Sequence, residues 1–74
     1  MKFVVYEVTD DFDILIKYTF ATNSFLEDFL AEDLKSKNYP PNYLILESDD
    51  FDKLISITIY EKGELSYKGI LKSD

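Results

Sequence analysis

Thr9-Asp-Asp-Phe-Asp-Ile-Leu-Ile-Lys-Tyr-Thr19 decides how this chain is read, because it returns almost intact as Ser48-Asp-Asp-Phe-Asp-Lys-Leu-Ile-Ser-Ile-Thr58. At an offset of 39 residues, Asp10, Asp11, Phe12, Asp13, Leu15, Ile16 and Thr19 recur as Asp49, Asp50, Phe51, Asp52, Leu54, Ile55 and Thr58. In both copies an acidic corner feeds an apolar, β-branched run. Short carboxylates accept backbone N–H bonds in tight turns, and the run behind them has the composition of a strand buried on at least one face. The echo has two readings. Similar turns that open similar strands use similar residues, or a matching pair of acidic knobs is offered to a partner.

Outward from the first copy, Lys2 to Val8 is a strand by period two. Val4, Tyr6 and Val8 share one face, and Phe3, Val5 and Glu7 the other. Beyond the Asp10–Asp11 turn, Phe12 to Phe20 reads as the returning strand, with Phe12, Ile14, Ile16, Tyr18 and Phe20 forming its apolar face. Thr22-Asn23-Ser24 then marks a change of period. Ser24 and Glu27 have the spacing of a capping box, with Thr22 and Asn23 as alternative caps. Phe25, Leu26, Phe29, Leu30 and Leu34 recur at helical spacing as one apolar stripe, against Glu27, Asp28, Glu32 and Asp33 on the other side. Lys35 and Lys37 near the end suit the negative pole of the helix, and Pro40-Pro41 forbids its continuation.

Outward from the second copy, Tyr43 to Glu47 is a short strand before the turn. Lys53 to Glu61 is the strongest strand after it, rich in isoleucine, threonine and tyrosine. Lys62-Gly63 predicts another turn, Leu65 to Leu71 a final strand, and Lys72-Ser73-Asp74 a frayed end. The fold class is α+β: residues 1–74 form one acidic domain, a small antiparallel sheet in the order ββαβββ with one amphipathic helix packed on one face.

Composition excludes several function classes. A chain of 74 residues buries only about 60% of its extended surface, so the core is thin. With neither cysteine nor histidine there is no disulfide, no common nucleophile–base pair and no ordinary zinc or iron site. The only glycines are Gly63 and Gly69, so a phosphate-cradling loop is absent. No catalytic residue, no metal site and no cofactor is expected; the Asp10–Asp13 and Asp49–Asp52 runs lack the spacing, glycine and closing glutamate of a calcium loop. The N-terminal apolar run is too short for a signal peptide or a membrane span, which makes a cytoplasmic location the default.

The eight basic residues are all lysine, and the net charge is −7. That balance opposes direct binding to nucleic acid and favours a protein partner with a basic surface. In size and acidity the chain resembles small acidic proteins of phages and mobile elements that inhibit host defence or transcription enzymes. The resemblance implies occupation of a basic nucleic-acid-binding surface by an array of carboxylates. Glu27, Asp28, Glu32 and Asp33 are the first candidate patch; Asp10, Asp11, Asp13, Asp49, Asp50 and Asp52 are the second. The alternative is a homodimeric structural or adaptor protein whose acidity serves solubility, with Tyr39, Tyr43, Tyr60 and Tyr67 as interface anchors or core-edge residues. Salt separates the two: it weakens a charge-driven complex and spares an apolar dimer.

Overall fold

The computed structural model describes residues 1–71, and the expected fraying at Lys72-Ser73-Asp74 lies outside them. The chain forms β1 (Lys2–Val8), β2 (Ile14–Phe20), α1 (Asn23–Ser36), β3 (Asn42–Ser48), β4 (Leu54–Glu61) and β5 (Glu64–Ile70). The strands make one antiparallel sheet in the order β2-β1-β3-β4-β5, with the helix against one face, as the sequence pattern predicts. Three hairpins supply three of the strand pairs. The fourth, β1 with β3, is closed by the helix and its Pro40-Pro41 return.

Both Asp-rich corners are hairpin loops of one build. In the first, Thr9 N–H donates to the Asp13 carbonyl and Phe12 N–H to the Thr9 carbonyl, with Phe12 left-handed at φ 64°. In the second, Asp49 N–H donates to the Lys53 carbonyl and Asp52 N–H to the Asp49 carbonyl, with Asp52 at φ 61°. Thr9 therefore matches Asp49, and the structural repeat runs at an offset of 40 residues, one more than the sequence echo. The same offset aligns Phe3 with Tyr43, Val5 with Ile45 and Glu7 with Glu47. Because Val5 also lies opposite Ile45 in the ladder, an approximate two-fold axis passes between them, perpendicular to the sheet. It exchanges the β1–β2 and β3–β4 hairpins and sends their turns to opposite ends.

The core lies between sheet and helix. Phe3, Val5, Tyr43, Ile45 and Leu26 are buried, ringed by Tyr18, Phe20, Phe29, Leu30, Leu34 and Tyr60. Phe29 joins the layers through rings, with centroids 4.4 Å from Tyr18 and 5.1 Å from Phe20. The helix covers the β2, β1 and β3 side and leaves β5 bare.

Two expectations are corrected, and the choice among three candidate caps falls on Thr22. Phe12 belongs to the turn rather than to the apolar face of β2, and it is 50% exposed because its left-handed backbone turns it out. Phe25 drops out of the helical stripe at 61% exposure, since it sits in the first turn, ahead of the part that meets the sheet. Thr22, not Ser24, is the N-cap: its backbone is extended and its Oγ1 accepts from Phe25 N–H at 3.3 Å, whereas Ser24 is already helical. Glu27 is then met by Asn23 Nδ2 at 2.9 Å.

Candidate protein-binding surface

The candidate carboxylates do not form one array. The approximate two-fold puts Asp10, Asp11 and Asp13 at one end of the sheet and Asp49, Asp50 and Asp52 at the other. At the second corner Asp49 is committed to the fold. Asp49 Oδ1 accepts N–H bonds from Phe51 at 2.8 Å and Lys53 at 2.9 Å, and these bonds hold its carboxyl below the usual range. Asp50 pairs with the N-terminal ammonium, and Asp52 with Lys2 at 3.1 Å. Both are exposed pairs, worth little in stability. At the first corner Asp10 accepts from Asn42 Nδ2 at 2.9 Å, while Asp11 and Asp13 stand exposed.

On the helix, Glu27, Asp28 and Glu32 are exposed and Asp33 is not. Asp33 is turned inward because the sheet offers it partners: the Tyr43 hydroxyl donates to its Oδ2, and Lys37 lies 3.7 Å from its Oδ1. Lys37 Nζ also lies 3.1 Å from Glu7 Oε1, and the Tyr39 hydroxyl donates to Glu7 Oε2 at 3.2 Å. Glu7 is only 2% exposed, so this ion pair is what allows its charge to be buried. The Lys37 ammonium is raised above its ordinary range, first by its bond to Glu7. Burial, then the bond to Asp33, pushes the Tyr43 hydroxyl far above the usual tyrosine range. Asp33 on the helix, Lys37 at its C-cap, Glu7 on β1 and Tyr43 on β3 thus form a clasp between the end of the helix and the sheet. Its carboxylate on β1 is buried, while Lys37 and Tyr39 reach the surface.

Two hollows complete the polar surface. At the end that carries the first corner, Asp10, Phe12, Asn42, Glu61, Lys62 and Glu64 line an open depression of about 540 Å³. Glu61 and Glu64 escape a sequence reading, since only the sheet order brings the β4–β5 turn to this end. Asn42 ties it together: its side chain also accepts from Lys62 N–H at 2.8 Å, and Gly63 N–H donates to the Pro41 carbonyl at 2.8 Å. Beside the helix, Glu27, Glu47, Ser56 and Lys68 border a groove of about 150 Å³, where Ser56 Oγ donates to Glu47 Oε1 at 3.0 Å. Among the described residues no three acidic side chains gather as a metal site would require.

The largest unpartnered feature is apolar and lies on the far side of the sheet. The ladders align Lys17, Tyr6, Leu44, Ile59 and Tyr67 in one row across all five strands. Thr19, Val4, Leu46, Ile57 and Gly69 make the next row. Alternation turns both rows away from the helix. Val4, Tyr6, Leu44, Leu46, Ile57 and Ile59 are half-buried by their neighbours alone, and Tyr67 is 55% exposed. The Tyr67 ring lies back over Gly69, where a Cβ would come 2.5 Å from its hydroxyl, so glycine gives that ring its seat. The one charge in the two rows is Lys17, 6.0 Å from the Tyr6 ring centre. Of the four tyrosines considered as anchors, Tyr43 and Tyr60 are in the core, Tyr39 serves Glu7, and Tyr67 stands on this face.

No helix among the described residues is long and apolar enough to cross a membrane. The chain matches no protein-family model, no curated protein and no solved structure.

Proposed function

We propose that this chain is a protein-interaction module that binds through the open face of its sheet. A single observation carries this reading: two adjacent rows cross the sheet, aliphatic or aromatic throughout β1, β3 and β4 and at Tyr67 of β5, with Lys17 of β2 the one charge among them. Contiguous apolar surface beyond a few hundred Å² is costly to leave in water and marks a surface that is covered in use. The acidity then has a second role. Carboxylates on the helix and at the sheet ends keep the free chain dispersed and leave the face itself free of negative charge. A binding role in the cytoplasm, with no cofactor, belongs to the same proposal.

The second reading is a basic protein partner, in the limit a nucleic-acid-binding enzyme whose groove is occupied by carboxylates. It is favoured by the exposure of Asp28 and Glu32, which stand four residues apart on the helix and repel one another, so that a cation between them relieves a small cost. The committed state of Asp33 and Asp49 leaves it a smaller array than ten candidate carboxylates promise.

Retention of partners on the immobilised full chain separates the two, run at about 0.05 M and about 0.3 M salt. The open-face reading expects retention at both salts, lost in Ile57→Lys and kept in an Asp28→Lys, Glu32→Lys double variant. Retention that vanishes at the higher salt, is competed by nucleic acid and survives Ile57→Lys would replace it with the basic-partner reading.

A further inference from the structure

We infer that the occupant of the open face is a second copy of this chain, packed sheet on sheet about a two-fold axis parallel to the strands along β3. This rests on the open face being the binding surface, and it names what binds there.

Area is the first argument. Five strands about 4.8 Å apart and about 20 Å long give the whole far side of the sheet about 500 Å². Two such faces bury about 1,000 Å² together, the level at which a specific interface becomes sustainable, and toward its weaker, reversible end. Shape is the second. A helix is about 10 Å wide and would cover less than half of a sheet about 24 Å across. A second sheet about 10 Å away covers both rows at once. This chain carries such a sheet, and its face has nothing on it among the described residues.

Charge is the third argument, and it also selects the axis. At −7 per chain, association of two copies needs a contact surface free of carboxylates, and the two rows hold none. The helix with Glu27, Asp28 and Glu32 lies on the outer side of each sheet; the acidic turns lie at the sheet ends, where an axis along β3 sets the Asp10–Asp13 corner of one copy opposite Glu61 and Glu64 of the other, a repulsion that salt relieves. An axis perpendicular to the strands would lay β2 on its own copy and bring the two Lys17 ammonium groups together. An axis along β3 instead lays β2 over the partner's β5 and β1 over its β4. Lys17 then meets the Tyr67 ring of the other copy, Tyr6 meets Ile59, Val4 meets Ile57, and Leu44 and Leu46 meet their own counterparts on the axis. An ammonium over an aromatic face is an attractive pair, and two apposed ammonium groups are not.

The test is sedimentation equilibrium on the full chain from about 5 µM to about 500 µM, a span that brackets the affinity expected of so small an interface. The expected result is a reversible shift from 8.7 kDa to twice that mass, unchanged or strengthened by salt. Ile57→Lys is expected to abolish the dimer over this range while far-ultraviolet circular dichroism keeps the folded signature. Lys17→Glu, at an exposed edge position where folding is not at stake, is expected to weaken it about three- to ten-fold. Because the chain lacks cysteine, Leu44→Cys is expected to be joined to its own counterpart by a short bifunctional thiol reagent that spans the gap between the sheets, too wide for a disulfide, and Asp28→Cys to remain monomeric. A wild-type chain monomeric to the top of the range overturns the inference, as does a dimer indifferent to Ile57→Lys and Lys17→Glu or one cross-linked through Asp28→Cys. A monomer that still retains another protein, lost in Ile57→Lys, overturns self-association and spares the open-face reading. A monomer with no face-dependent partner overturns both.

Discussion

Phe12 and Asp52 show what the fold demands of single residues. Each closes a hairpin loop from the left-handed region, where an L side chain crowds its own backbone at a cost of about 1–2 kcal/mol. Neither is the glycine or asparagine that such a loop prefers. Phe12→Gly relieves this strain and removes an aromatic ring that is 50% exposed, so it should stabilise the fold by about 1 kcal/mol despite the looser unfolded chain. Chemical denaturation checks it, with an unchanged slope and a higher midpoint expected. The sequence places both turns correctly but reads them in the wrong frame. The Asp-Asp-Phe-Asp echo aligns Phe12 with Phe51, whereas the loops align Phe12 with Asp52. A turn's frame is set by which backbone groups bond across it, and carboxylates on neighbouring positions can each supply the same bond. Composition alone therefore leaves the frame ambiguous by one residue.

Among the elements, the helix and β1 carry the most consequential misreading. Helical spacing puts Asp33 beside Glu32 and Asp28, and period two puts Glu7 beside Phe3 and Val5. Both patterns are legible, but their meaning is not. Asp33 and Glu7 become interior partners only because the helix lies across β1 and β3 with its last turn over Lys37, Tyr39 and Tyr43. That placement depends on sheet order, which no local pattern encodes. The clasp has a pH signature whose sign follows from its protons. In the unfolded chain Tyr43 and Lys37 lose their protons from about pH 10 upward, near their ordinary values of 10.0 and 10.5. Both are raised in the folded state, so above that pH the folded chain holds more protons and stability falls as pH rises. Below pH 10 their contribution is fully present. Wild type should lose stability between about pH 10 and pH 12 in a denaturation series, and Tyr43→Phe should flatten that fall. Equal alkaline slopes in the two proteins would remove Tyr43 from the clasp.

For the molecule as a whole, the pattern of burial matters more than the amount of charge. Alternation in β1 and β3 is largely apolar on both sides and β4 adds Ile57 and Ile59 to the far one, yet among the described residues one helix covers one side. The sequence declares the surplus: Val4 and Tyr6 oppose Phe3 and Val5, and Ile57 and Ile59 oppose Ser56 and Tyr60. Read for charge, the same chain directs attention to its carboxylates, several of which the fold consumes in turns, an N-terminal pair and a buried clasp. Read for what remains uncovered, it directs attention to the far face of the sheet. A series of ¹H–¹⁵N correlation spectra of the full chain, recorded from dilute to concentrated solution, puts the two readings against each other. Self-association through the open face predicts concentration-dependent shifts at the amides of Val4, Tyr6, Leu44, Leu46, Ile57 and Ile59, with Glu27, Asp28 and Glu32 unmoved. Shifts confined to the helix, or none on the sheet at any concentration, would contradict it.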